Sequence, residues 1–274
     1  MSSSRHITID CHVHLWPDTL AQRNLETIKT QSGISPVFNG TVGTLLRSMI
    51  ESGVSYSLAN NVVLKAELVS KANNWTASAI SPHKELVGMG YVVAGAPDSA
   101  LEVERCVKEL HFKGIKIHHS HSKIDPADPK NYPIYEKLVE LGIPVLFHSG
   151  KNPYTKSSDP QFSSPSGFRS VLASFPKLKA VLGHLAGFED FPAEALDLLQ
   201  SYQNAMADTA IKPTSKIDLA ELIRRVGVEK IVFGSDYPIY DPASLLSWLR
   251  GAVSGSEFQS ITSENPLSLF KLEL

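Results

Sequence analysis

The residues best suited to chemistry are concentrated in one short stretch, residues 7–14, which read Ile-Thr-Ile-Asp-Cys-His-Val-His. Spaced as a β-strand, Ile7, Ile9, Cys11 and Val13 share one face, and Thr8, Asp10, His12 and His14 share the other. The polar face therefore carries a carboxylate and two imidazoles. Residues two apart on a strand lie about 6.6 Å apart on the same side, a separation from which two imidazoles can converge on one metal ion at about 2.0–2.1 Å. The pair alone is weak, because ten histidines in 274 residues produce roughly 0.4 His-x-His pairs by chance.

The pair gains meaning from the elements that must position it. Strands are predicted over 7–14, 54–63, 86–93, 114–118, 144–148, 179–184, 204–208 and 230–235. Between them lie helical patterns near 41–51, 65–79, 101–110, 133–141, 165–175, 192–201 and 215–226, with two more near 242–249 and 266–272. Residues 15–40 are expected to form a long loop with a short helix near 20–28. Eight alternating units in this length predict an α/β fold, a (β/α)8 TIM barrel, as a single domain over 1–274; a doubly wound open sheet is the competing architecture.

The polar residues Lys116, His148, His184, Asp208 and Asp236 recur at about one βαβ repeat, each at or just past the C-terminal end of its strand. In a closed barrel those ends form one ring, where active sites are built. His12, His14, His148 and Asp236 then supply three imidazoles and a carboxylate, a set suited to a divalent transition metal, zinc first, with Mn2+, Fe2+ or Co2+ also accommodated. His184 stands at the same rim. Alternation turns His12 and His14 toward the barrel mouth and Cys11 and Val13 toward the helices, making Cys11 a packing residue. Asp10 either orients a ligand imidazole or satisfies a buried backbone group, and Asp208 caps the turn after its strand.

Taken in order, Asp10-x-His12-x-His14, Gly114-Ile115-Lys116-Ile117-His118, Phe147-His148-Ser149-Gly150, Gly183-His184-Leu185-Ala186-Gly187 and Gly234-Ser235-Asp236-Tyr237-Pro238 resemble the amidohydrolase superfamily. More narrowly they look like its amidohydrolase-2 branch, which includes decarboxylases of the aminocarboxymuconate-semialdehyde type. Glu264-Asn265-Pro266-Leu267 is similar to that branch's closing helix. The resemblance implies that His12, His14, His148 and Asp236 bind one metal, that Asp236 also moves the proton of the attacking water, and that His184 polarises substrate or orients that water. It implies substrate contact for Lys116 and His118, with a carboxylated Lys116 bridging two metals as the less favoured alternative. Lys151, Tyr154 and Arg169, near the loop after strand five, are candidates for a substrate carboxylate, with solvated surface as their other interpretation. His119 and His121 are assigned to a loop or the surface.

Composition sets outer bounds. With 42% apolar and 20% charged residues and a net charge of −2, the chain can bury a sizeable core and shows no basic footprint for nucleic acid or an anionic membrane. Two cysteines exclude a disulfide framework, and the start of the chain lacks a signal-peptide core, so a cytoplasmic location is expected. The expected partner is a small-molecule substrate, with a homo-oligomer allowed. The function expected first is a metal-dependent hydrolase attacking an amide, lactone or ester, favoured by the chain's compact length. Behind it stand a metal-dependent non-oxidative decarboxylase, a TatD-type deoxyribonuclease and a catalytically silent binding barrel.

Overall fold

The computed structural model describes residues 6–151, 162–213 and 216–273. Eight strands, β1 (Ile9–His14), β2 (Tyr56–Asn60), β3 (Leu86–Val92), β4 (Gly114–Ile117), β5 (Val145–Phe147), β6 (Ala180–Leu182), β7 (Ala205–Asp208) and β8 (Ile231–Val232), follow one another in a single parallel sheet. The ends of the sheet meet. The Cys11 N–H donates to the Phe233 carbonyl at 2.9 Å and the His14 N–H to the Tyr237 carbonyl at 2.7 Å. This is the (β/α)8 barrel that the alternation predicts, and the open sheet is excluded.

Two apolar layers hold it. Tyr91, Lys116, Leu146, Val181 and Met206 stand in register across β3 to β7 and so share the inner face. Leu146 and Val181 belong to an inner cluster with Ile9, Leu58, Met89 and Val232, and Phe270 closes it from the C-terminal helix Asn265–Phe270. The side chain of Asn265 fastens that helix by donating to the carbonyls of Val228 at 2.9 Å and Ile231 at 2.7 Å. The outer cluster, including Val13, Ile115, Phe147, Leu182 and Ala207, packs the strands against the helices. Each Val, Leu, Ile or Phe fully buried in these layers is worth about 1.5–3 kcal/mol.

One irregularity in β1 rearranges the first motif. Ile9 and Asp10 pair with Tyr56 and Ser57, but Val13 and His14 pair with Ala59 and Asn60, so β1 carries one residue more than β2 across this interval. A bulge of this kind resets the alternation. Val13 therefore faces the outer cluster while Cys11 joins the inner one, which corrects the expectation that both point to the helices. Cys11 remains a packing residue, 1% exposed.

The segment after β1 also differs from expectation. Asp18–Ser32 forms a 15-residue helix that ends at Gly33 in the left-handed region, φ 73°. Its only buried residue is Ala21. A helix lying on the surface needs no apolar stripe, so periodicity gives it little signal.

Candidate metal centre

β1 and the turn after β8 build the core of the site. Nε2 of His12 lies 3.4 Å and Nε2 of His14 3.1 Å from Oδ1 of Asp236, and donor atoms of these three residues all fall within 4.8 Å of one another. The opposite edge of each imidazole fixes its tautomer. His12 Nδ1 meets Oδ2 of Asp208 at 2.8 Å, and a carboxylate can only accept, so the proton sits on Nδ1. His14 Nδ1 meets Oδ1 of Asn60 at 2.9 Å, while the amide nitrogen of Asn60 donates to the Val13 carbonyl. Both Nε2 atoms therefore present bare lone pairs to a carboxylate oxygen. Three converging acceptors repel one another unless a cation lies among them; the Lys116 ammonium, 2.9 Å from His12 Nε2, meets one of them, and a divalent metal would satisfy all three, so these residues fit such an ion.

Electrostatics supports that fit. Burial, reinforced by the charge of Lys116, holds His12 well below the ordinary imidazole value and hence neutral. Burial pushes the Asp236 carboxyl up, and only protonated imidazoles at His12, His14 and His184 bring it down to about 2. With unprotonated Nε2 atoms directed at it, a bound cation would be what holds it as the anion.

His148 stands just past β5 and His184 in the turn after β6. His184 Nδ1 donates to the Ala210 carbonyl, which leaves its Nε2 to accept from His148 Nδ1 at 2.9 Å. Nε2 of His148 is consequently a lone-pair atom, and it is buried without a partner. His148 does not join the three-residue donor group within 4.8 Å, yet its orphaned nitrogen is the kind of atom a cation or a substrate proton satisfies. The turn that carries His184 is left-handed at three successive non-glycine residues, His184, Leu185 and Ala186, with φ of 57°, 51° and 58°. Such a run costs about 1–2 kcal/mol per residue.

Lys116, on the inner face of β4, is 1% exposed and places Nζ 2.9 Å from Nε2 of His12. Burial lowers its pKa to about 8, against the pull of Asp208 and Asp236, which keeps the ammonium charged at neutral pH. His118 lies between two parallel rings, His121 at 3.4 Å and His148 at 3.9 Å between centroids. His119 and His121 are thus not the surface residues expected from the polar sequence around them. His119 is fully buried with Nε2 2.9 Å from the Tyr135 hydroxyl, and the His121 ring belongs to the stack.

A match to the amidohydrolase-2 family model, described as amidohydrolase, runs over residues 9–272, nearly the whole chain. The chain belongs to the amidohydrolase-2 family. Among curated proteins, the chain is 25% identical over 246 residues to 2-amino-3-carboxymuconate-6-semialdehyde decarboxylase of Dictyostelium discoideum, covering 76% of this chain and 66% of that one. The chain thus spans just under two thirds of that relative's length. Two solved structures share its fold. The 5-carboxyvanillate decarboxylase LigW from Sphingomonas paucimobilis superposes with TM-score 0.75 at 16% identity, over 98% of this chain and 100% of that one. The dihydroxybenzoic acid decarboxylase from Polaromonas sp. JS666, with bound manganese and the inhibitor 2-nitroresorcinol, superposes with TM-score 0.75 at 17% identity, over 97% of each.

These similarities correct the expectation of a hydrolase: the relative and both structural neighbours are decarboxylases. Compact length, the ground for preferring hydrolysis, is outweighed by the similarity to the decarboxylase relative. Two of the candidate substrate contacts form surface ion pairs in this structure. Arg169 lies on the outer helix Pro165–Ser174 and pairs with Asp197 across the surface. Lys151 is an exposed residue whose ammonium lies 3.5 Å from Asp190. Both are solvent-facing ion pairs. Tyr154 lies outside the described residues.

One contributor, Asn60, escaped the sequence, and Asp208, expected only to cap the turn after β7, has a further role. Asn60 ends β2 and Asp208 ends β7, and each holds the Nδ1 proton of a β1 histidine. Their position at strand ends was the available signal. Asp10, in contrast, accepts from the Ser235 and His12 backbone N–H groups at 2.9 and 3.2 Å and touches no ligand imidazole. No helix among the described residues is long and apolar enough to cross a membrane.

Proposed function

We propose that this chain is a metal-dependent, non-oxidative decarboxylase of a small carboxylic acid that is unsaturated or aromatic beside the carboxylate. The observation that carries this proposal is the convergence of three unprotonated acceptors, His12, His14 and Asp236, beside the buried ammonium of Lys116. A divalent cation bound there supplies positive charge to substrate oxygens. His148, with its orphaned Nε2, is proposed as a further ligand. Zinc suits the imidazoles, and manganese, which the Polaromonas enzyme holds, suits the carboxylate.

Lys116, itself 1% exposed, provides a counter-charge for the substrate carboxylate, and burial strengthens such an attraction. The parallel rings of His148, His118 and His121 form a flat, neutral wall compatible with a planar conjugated acid. Loss of carbon dioxide leaves an electron pair on carbon that a proton must take up. Asp236, facing both β1 imidazoles, takes up a proton from solvent and delivers it to that carbon, so the carboxylate is regenerated and one solvent proton is consumed for each carbon dioxide released. His184 holds His148 in position through its hydrogen bond.

The test combines metal analysis with a panel of dihydroxybenzoic and unsaturated carboxylic acids, scored by carbon dioxide release. The expected result is about one metal per chain, carbon dioxide from at least one acid, and loss of both in a His12→Ala/His14→Ala variant. Full metal occupancy in that variant removes the site. A metal-loaded chain that releases nothing across the panel removes the reaction.

A further inference from the structure

Asp208 is wholly buried at the end of β7 and spends its two oxygens on two different parts of the site. Oδ2 accepts from Nδ1 of His12 at 2.8 Å. Oδ1 accepts from the backbone N–H groups of His184 at 2.8 Å and Ala210 at 3.1 Å. The first bond selects the His12 tautomer, and the second ties down the left-handed turn that presents His184. The space around this carboxylate is closed by glycines. A Cβ on Gly234 would come within 2.9 Å of the His12 Cβ and 3.1 Å of the Asp208 Cβ, and one on Gly183 within 2.9 Å of the Phe147 carbonyl oxygen and 3.7 Å of Oδ2 itself. Wholly buried, approached by these two backbones and bonded at both oxygens, the carboxylate is held toward its partners.

We infer that Asp208 is the positioning residue of the site: it forces His12 to present Nε2 as a lone pair and, through its other oxygen, sets His184 relative to that lone pair. It touches neither substrate nor metal. The inference rests on His12 Nε2 being a metal donor, as proposed above, but the tautomer it requires is a property of the chain alone.

The chemistry supplies a sharp variant. In Asp208→Asn the side-chain oxygen stays with the two backbone donors, since an amide nitrogen there would face N–H groups. The new NH2 then points at Nδ1 of His12, which must become an acceptor, and the His12 proton moves to Nε2. The shape of the site is retained while the lone pair is lost. Nitrogen-15 histidine correlation spectra of the metal-free full chain read the tautomer directly, and titration with Zn2+ or Mn2+ reads the affinity.

The expected result is His12 protonated on Nδ1 in the wild type and on Nε2 in Asp208→Asn, with divalent-metal affinity lower by roughly 10–100-fold and the amide signals of His184 and Ala210 kept. Wild-type His12 found protonated on Nε2 overturns the inference without any variant, so it stays open to refutation even if the variant does not fold. An unchanged tautomer and affinity in a folded Asp208→Asn overturn it too. A wild type that binds no divalent metal while the tautomer still inverts fails the metal assignment and leaves the role of Asp208 standing.

Discussion

Nε2 of His184 lies 2.9 Å from Nδ1 of His148, and the direction of that bond is set on the far side of the His184 ring, where Nδ1 donates to the Ala210 carbonyl. A proton held at one end of the pair leaves a lone pair at the other, on Nε2 of His148. Replacing His184 with Phe keeps a planar ring but removes the acceptor. His148 Nδ1 then loses its partner in a buried site, and the imidazole is free to turn or change tautomer. Activity is expected to fall about 10–100-fold, the usual cost of losing a group that orients a functional imidazole. Nitrogen-15 spectra of His148 and kcat measured together check this. A variant with wild-type kcat and an unmoved His148 tautomer refutes it.

Lys116 offers a test that separates function from stability. Its ammonium is buried, and a buried charge costs stability even when it is hydrogen-bonded. Lys116→Met keeps the volume and removes the charge. The expected outcome is unchanged or higher resistance to urea, together with a loss in kcat/KM of about 100-fold or more on a carboxylate substrate, the scale of about 3 kcal/mol of lost charge pairing. If kcat/KM stays at the wild-type value, Lys116 is a structural lysine.

Much of this arrangement is legible in the sequence, and the limit has a physical form. His12, His14, His148, His184 and Asp236 are found from spacing because strand ends in a barrel share one rim, a rule that needs only the order of elements. Asn60 is not found, and Asp208 is found only as a turn cap, because their roles toward the histidines depend on which oxygen faces which ring nitrogen across the barrel. The bulge between Asp10 and Val13 is invisible in a strand of perfect alternation, and it turns Asp10 from a possible ligand-orienting group into a partner of backbone N–H groups. His119 and His121 looked solvated because their neighbours are Ser120 and Ser122, yet they fold into a one-turn helix, His119–Ser122, against Tyr135 and His118. For Arg169, proximity in sequence to the loop after β5 says nothing about which side of its helix it occupies, and the structure pairs it with Asp197 on the surface.

The buried imidazoles predict how the metal-free chain responds to acid. Burial holds His12, His118 and His148 well below 6.5, and lowers His119 to about 3 and His121 to about 4. Groups with depressed folded-state values stay neutral in the native chain while the unfolded chain takes up their protons, so their stabilisation is present above pH 6.5 and is lost as pH falls from there. Two carboxyls work the other way, since burial raises Asp10 to about 7 and raises Asp208. Five imidazoles outnumber two carboxyls, so stability falls between pH 6.5 and 4 at about 1.4 kcal/mol per pH unit for each net proton. Urea midpoints at pH 7 and pH 5 measure this, and His119→Gln is expected to flatten the difference. An equal or higher midpoint at pH 5 contradicts the prediction.

The turn after β6 can be probed where it touches the strand-five loop. Gly187 has φ 75°, and a Cβ there would fall 2.7 Å from N and 2.8 Å from Cα of Gly150, two residues beyond His148. Those are backbone atoms, which cannot swing aside as a side chain does. Gly187→Ala therefore combines the left-handed penalty of about 1–2 kcal/mol with overpacking of about 1–3 kcal/mol. Gly33 provides the control, because it has a nearly identical φ of 73° with nothing within 4 Å of the added carbon. Gly33→Ala should show the conformational cost alone, and the difference between the two denaturation free energies isolates the steric part. The same displacement of Gly150 should move the His148 ring resonances in Gly187→Ala and leave them unchanged in Gly33→Ala. Equal destabilisation by the two variants, with His148 unmoved in both, would mean that the contact between the two loops does not set the position of His148.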